Sequence, residues 1–175
     1  WDDHDRSGRY LGRDVAFNYL NSCAPGAILF TNGDNDTFPL WYAQEVENMK
    51  TDLRVCNLML LNTDWYINQM KKRTYQSAPL PVTLPDKKYY DGINNQVFIV
   101  EKTKDPVDIS TVIDWVKSEN KGTKVQVSTS EILDIIPTRT IRIPVDPAKV
   151  IASGTVKAED ADKIVPYIDI KLKGN

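Results

Sequence analysis

The alternation of apolar and polar positions divides the chain into stretches of different character. From Arg9 to Cys23, Tyr10, Val15, Tyr19 and Leu20 recur at helical spacing, which predicts an amphipathic helix. Ala24-Pro25-Gly26 stops it. Ala27–Thr31 is a short unbroken apolar run, the form of a strand buried on both faces of a parallel sheet. A polar turn follows over Asn32–Thr37. Leu40, Trp41, Ala43, Val46 and Met49 then give one apolar face to a helix expected over about Phe38–Met49. Pro39 falls in its first turn, where a missing N–H costs nothing. The unit repeats as a strand at Arg54–Leu61, a turn at Asn62-Thr63-Asp64 and a helix over Trp65–Lys72. Thr63 or Asp64 is the expected N-cap, and the basic Lys71-Lys72-Arg73 run suits a helix C-terminus.

Beyond this the pattern loosens. Gln76–Tyr90 carries three prolines and reads as an extended loop, with Asp91-Gly92 as a turn. Gln96–Glu101 alternates as a strand, and Asp108–Glu119 is amphipathic through Ile109, Val112, Ile113 and Val116. Asn120-Lys121-Gly122 ends that helix. Thr138–Pro144 and Tyr167–Leu172 alternate with period two, the mark of strands with one wet face. Ala158–Asp162 is a short acidic helix start. Alternating helices and strands joined by tight turns predict an α/β fold. Its short, mostly parallel sheet flanked by helices is Rossmann-like and occupies residues 1–95. A mixed α+β C-terminal extension of the same domain occupies residues 96–175. A crossover of ~20 residues between the first two strands favours a parallel pair.

Composition changes this picture mainly by exclusion. The chain has 175 residues, 22 basic and 24 acidic side chains and a formal net charge of −2, so bulk charge gives no reason to expect nucleic acid as a partner. One histidine, His4, excludes a zinc site built on several histidines. Cys23 and Cys56 form no C-x-x-C pair and read most simply as buried free thiols, a single disulfide being the alternative. No apolar run approaches the ~20 residues of a membrane span. The dinucleotide, P-loop and nucleophile-elbow glycine motifs are all missing.

Three constellations could carry chemistry. Trp1–Arg9 gathers Asp3, His4 and Arg6 with further charges, an acid–base or binding strip on one reading and a solvated arm on the other. Asp34-Asn35-Asp36 follows the first strand, at the strand end where open α/β sheets bind ligands. Its D-x-D spacing could hold a divalent cation between Asp34 and Asp36. Plain turn and capping chemistry explains the same residues without a ligand. Asn62, Asp64 and Trp65 stand at the equivalent end of the second strand. Parallel pairing would bring the two loops to one sheet edge, with Phe38, Trp41, Tyr42, Trp65 and Tyr66 as stacking platforms or as core.

The segments Trp1–Arg9, Ile28–Leu40 (ILFTNGDNDTFPL) and Leu60–Tyr66 (LLNTDWY) resemble the DUF2723 family of multi-spanning membrane proteins abundant in Bacteroidetes. That family is similar to protein O-mannosyltransferases and to the transmembrane protein 260 type in animals. The tail, from Ile141 through Asp162, looks familiar in the same way. The resemblance implies a GT-C type parent in the inner membrane, this piece being its water-soluble domain on the periplasmic side. The parent would transfer mannose or another hexose from a lipid-phosphate donor to Ser or Thr of exported proteins. Its catalytic carboxylate would lie among the spans, so this piece would bind acceptor or regulate rather than catalyse. The implied partners are the parent's membrane-spanning region and exported acceptor proteins or the lipid-linked sugar. Two alternatives stand beside this reading. One is a scaffold without a ligand site. The other is a cation-dependent enzyme domain using Asp34 and Asp36, with Asp64 or His4 as base.

Overall fold

A computed structural model describes residues 5, 7–94, 96–129 and 131–173. The strip residues Asp3, His4 and Arg6 therefore lie outside the described residues. The chain divides into two compact units, residues 1–83 and 84–175.

In the first unit, α1 (Leu11–Ser22), β1 (Ile28–Thr31), α2 (Asp34–Glu45), β2 (Arg54–Asn57) and α3 (Asp64–Met70) follow the predicted order. β1 and β2 pair in parallel, with Leu29 beside Val55 and Thr31 beside Asn57. Gly26 takes a positive φ of 69° in the turn into β1, a conformation glycine adopts without steric cost. Its N–H is held by the Asp52 carboxylate at 2.8 Å.

The two faces of the strand pair carry different cores. Ala16 and Leu20 of α1, Leu40 and Ala43 of α2, and Leu53 and Val55 form one buried cluster, with Leu29 packed against it. Cys56, Tyr66, Met70 and Leu80 form the other. Both cysteines are free; Cys56 is buried and Cys23 half-buried. Burial in apolar surroundings pushes the Cys56 thiol pKa up.

Several expectations need correction. The sheets are small and mixed, and no extended Rossmann-like parallel sheet forms: one sheet has two strands and two have three. β1 is not buried on both faces. Ile28 and Phe30 are 40% and 56% exposed, whereas all four residues of β2 are buried. The register explains this, since Ile28 and Phe30 share a face with Arg54 and Cys56, and the second cluster covers only the β2 half of that face. α2 starts at Asp34, four residues before the predicted helix, so Pro39 lies inside the helix rather than in its first turn. The early start comes from Asp36, whose carboxylate accepts the Asn32 and Gly33 N–H groups at 2.8 and 2.9 Å. β2 ends at Asn57 rather than Leu61, because the Asn57 side chain accepts the Met59 N–H at 2.8 Å and the Leu60 N–H at 3.2 Å and turns the chain.

The second unit contains β3 (Phe98–Ile99), β4 (Val107–Asp108), α4 (Ile109–Lys117), β5 (Lys124–Gln126), β6 (Ile132–Ile136), β7 (Thr140–Pro144), α5 (Pro147–Ala152) and β8 (Tyr167–Lys171). One sheet runs β3-β6-β5 and the other β4-β7-β8, each with one parallel and one antiparallel pairing. Asp108 caps α4 by accepting the Ser110 N–H at 2.8 Å. β7 and β8 are clamped by Arg142 and Asp169 through two 2.8 Å bonds, with Arg142 lying over the Tyr167 ring.

A buried ionic knot organises this unit. Lys88 Nζ donates to both Asp134 oxygens at 2.9 and 3.0 Å, Lys124 Nζ donates to the same carboxylate at 2.6 Å, and Asn94 adds a bond at 2.8 Å. The Lys88 and Asp134 side chains are only 3% and 4% exposed. Glu119 closes the knot from the surface, 2.7 Å from Lys87 and 3.5 Å from Lys88 and Lys124.

Two outcomes follow from the knot. Asp134→Ala should cost about 3–5 kcal/mol in denaturant unfolding, because it strands a buried lysine charge. The Lys87 hydrogen bond, backed by the charges of Lys124 and Lys88, holds the Glu119 pKa down at about 2, against an ordinary 4.5. A depressed carboxylate pKa stabilises the fold above its unfolded value and loses that contribution as pH falls through the folded value. Glu119→Gln should therefore lower the melting temperature at neutral pH. The deficit should shrink between pH 4.5 and about 2.

Candidate functional site

The loops that leave β1 and β2 do meet. Parallel register sets Thr31 beside Asn57 at the carboxyl ends of the strands. Asn57 Nδ2 donates to Thr37 Oγ1 at 3.0 Å, joining the first turn of α2 to the end of β2. Thr37 Oγ1 shares a hydrogen bond with Thr31 Oγ1 at 2.7 Å and donates to the Gly33 carbonyl at 2.5 Å. The Asn57 N–H donates to the Tyr66 hydroxyl at 2.9 Å, which brings in α3. Thr31, Thr37, Asn57 and Tyr66 are all buried. These hydrogen bonds form a closed polar network that stitches β1, α2, β2 and α3 together.

The predicted carboxylates stand around this network. Asp34 is the first residue of α2 and Asp64 the first of α3, both in the first helical turn where negative charge is favoured. Asp36 is engaged locally: the Asn32 N–H above all, then that of Gly33, lowers its pKa. Asn62 Nδ2 donates to the Met59 carbonyl at 3.1 Å. Asn35 and Asp36 line a shallow cleft of about 350 Å³ against Leu11, Val15 and Tyr19 of α1. Among the described residues, no three His, Cys, Asp or Glu side chains converge on a point where an ion could sit.

A second cleft, of about 360 Å³, lies between α2 and α3 along the outer edge of β2. Trp41, Gln44 and Glu45 of α2 form one wall; Trp65, Tyr66 and Gln69 of α3 form the other. Thr74, Tyr75 and Ser77 close one end. Trp65 and Tyr75 are 55% and 53% exposed, so their rings are open to a ligand. Trp65 meets Tyr66 edge-on, with ring centroids 5.5 Å apart. The Tyr75 hydroxyl donates to Glu45, which draws the helix and the loop together and raises the Tyr75 pKa.

Arg54 lines the same cleft and is 5% exposed. Its guanidinium donates to the Lys72 carbonyl at 2.8 Å, the Ala78 carbonyl at 3.1 Å, the Ser77 carbonyl at 3.3 Å and Thr74 Oγ1 at 3.1 Å. No carboxylate pairs with it among the described residues, and its Nε–H is buried without a partner. Desolvation lowers its pKa, yet a guanidinium stays charged at any ordinary pH.

Of the residues singled out in the sequence, Trp41, Trp65 and Tyr66 line this cleft, and Asp34, Asn35, Asp36, Asn62 and Asp64 do not. Sequence reasoning passed over Arg54, Gln44, Glu45, Gln69 and Tyr75. One signal was available: a charged residue opening an otherwise apolar strand, in Arg54-Val55-Cys56.

A family model described as TMEM260-associated domain 2 matches residues 12–175. The chain belongs to that family. The TMEM260-associated domain thus spans both units, and it ties the chain to the context of a TMEM260-like membrane protein. No curated protein and no solved structure matches it. No helix among the described residues is long and apolar enough to cross a membrane.

The polar network makes one expectation sharp. Asn57→Ala leaves the Met59 and Leu60 N–H groups without their acceptor and should cost about 2–3 kcal/mol in chemical denaturation. Asn62→Ala, which loses one exposed side-chain bond, should stay within ~0.5 kcal/mol of the parent chain.

Proposed function

We propose that this TMEM260-associated domain is the extracytoplasmic part of a DUF2723-type, O-mannosyltransferase-like membrane glycosyltransferase. It binds the acceptor, or regulates its access, rather than carrying the transfer step. The observation that supports this reading is the cleft between α2 and α3. Ligand sites of this size combine apolar walls with a few placed polar groups. Here exposed Trp65 and Tyr75 offer stacking faces, and Gln44, Glu45 and Gln69 offer hydrogen-bonding groups beside them. That combination suits a hydroxyl-rich or amide-rich ligand such as a Ser/Thr segment or a hexose. In this reading the catalytic carboxylate and the lipid-linked sugar belong to the membrane-spanning region of the parent, and the domain faces the periplasm.

The scaffold alternative draws on a different observation. Asp36, Thr37 and Asn57 are all engaged in closing turns, so the two loops at the strand ends serve the fold. The two readings divide the molecule between them: structural work at the strand ends, binding at the side of β2.

Tryptophan fluorescence of the 175-residue chain tests the proposal. Titration with Ser/Thr peptides and with α-mannosides should give saturable quenching with at least one class. Trp65→Ala should weaken that binding about tenfold or more while changing the melting temperature little, since the ring is 55% exposed. Absence of saturable binding by either class would overturn the reading. In the parent enzyme, the same substitution should raise the KM for acceptor and leave donor hydrolysis unchanged.

A further inference from the structure

The floor of the cleft is the outer edge of β2, and the direction of its backbone groups follows from the register. The Arg54 N–H donates to the Ala27 carbonyl at 2.9 Å, and the Leu58 N–H donates to the Thr31 carbonyl at 2.8 Å. Residues 54, 56 and 58 therefore direct their backbone groups toward β1, and residues 53, 55 and 57 direct theirs outward. The outward Leu53 carbonyl accepts Gln44 Nε2 at 3.0 Å. The outward Asn57 N–H donates to the Tyr66 hydroxyl at 2.9 Å. Between these two plugs lies Val55, which lines the cleft. Its N–H and C=O take no partner among the described residues. One donor and one acceptor, on one residue, thus stand unpaired at the cleft floor.

A single residue offering both groups is satisfied by one facing residue in a narrow antiparallel pair, in which the two exchange two N–H···O bonds, whereas a parallel strand would need two residues to reach it. We infer that the cleft takes an extended polypeptide segment, which adds to β2 by pairing one of its residues with Val55. This rests on the acceptor-binding reading above and specifies its mode: the ligand is recognised first through its main chain. Two observations narrow the segment. The Gln44 and Tyr66 plugs limit the ladder to one residue pair, so the segment crosses the edge rather than lying along a long strand. Glu45 is the exposed charge on the cleft wall, while the other charged lining residue, Arg54, is buried under carbonyls. The segment is therefore neutral or basic, not acidic. The paired residue's side chain shares the face of Val55, towards α2, and the side chains of its two neighbours point to the other face, towards α3, where Glu45 on the one wall and Gln69 on the other suit hydroxyl-bearing residues.

The experiment uses the 175-residue chain labelled with ¹⁵N and three acetylated, amidated heptapeptides. The first is Lys-Thr-Val-Thr-Val-Thr-Lys. The second is the same peptide N-methylated at the central threonine, which removes one backbone donor. The third replaces both lysines with glutamates. Binding of the first peptide should move the Val55 amide proton downfield and slow its exchange with solvent. N-methylation should weaken binding about fivefold or more, the worth of one hydrogen bond. The glutamate peptide should bind more weakly than the lysine peptide, and Glu45→Lys should reverse that order without unfolding the chain. Equal binding of the first two peptides would overturn strand addition and leave acceptor binding standing. Binding of α-mannosides but of no peptide would overturn strand addition and assign the cleft to sugar. Binding of neither would overturn both. A peptide response that leaves the Val55 amide unmoved would place the segment elsewhere and also overturn the inference.

Discussion

The first unit depends on one buried positive charge. Arg54 sits in β2, beneath the segment that follows α3, and removing its charge from water carries a large desolvation cost. That cost is offset by four acceptors, none of them ionised: three main-chain carbonyls and one hydroxyl. Hydrogen bonds from an ionised donor are the strong ones, and here each also fixes a point on the chain between Lys72 and Ala78. Folding that segment onto β2 is thus the condition for burying Arg54, and burying Arg54 is what holds the segment. The closed end of the cleft, with Thr74, Tyr75 and Ser77, exists because of this arrangement. The second unit solves the same problem by the other route. Its buried Lys88 is paired directly with Asp134 and shares that carboxylate with Lys124.

The position of the cleft follows from the size of the sheet. In open α/β sheets, ligands bind beyond the strand ends, in the crevice where the strand order reverses. A two-stranded sheet has no reversal, hence no crevice. The polar residues at its strand ends are free to close turns, and Thr31, Thr37, Asn57 and Tyr66 do so as one network. What the small sheet has instead is a free side. β2 is covered above and below, and its outer edge opens between α2 and α3. A wider sheet would have paired that edge with another strand and left no groove.

Much of the fold was legible in the chain because the signals are local. α1 and α4 show helical periodicity, Asp108 is an ordinary N-cap, β7 and β8 alternate, and the crossover length favours the parallel β1–β2 pair. The missed elements share a different cause. β5 and β6 pair through tertiary context, and their sequences carry no clear alternation. The exposure of Ile28 and Phe30 was hidden because an apolar run looks the same whether both faces of a strand are covered or one. Asp36 was read as a candidate ligand because its side chain was visible and its competitors, the Asn32 and Gly33 N–H groups, were not. The cleft was half legible. Trp65 stood out as an aromatic next to a turn, but the arginine cage is built from carbonyl groups, which have no sequence signature.

That last point bears on where function is read. Native chains leave few main-chain groups unpaired at buried or half-buried positions, since each costs free energy unless water or a ligand satisfies it. On the outer edge of β2, the Leu53 carbonyl and the Asn57 N–H are satisfied by side chains brought from α2 and α3, so the fold has the means to close this edge. Closing the remaining pair would take only one more amide or hydroxyl side chain on a facing helix. The walls there instead present Trp41 and Trp65, whose rings flank the edge without satisfying it. Side chains reach the strand edge on either side of Val55 and leave Val55 itself unpaired, and such an exception to the local rules of good structure is where a binding function is expected to be found.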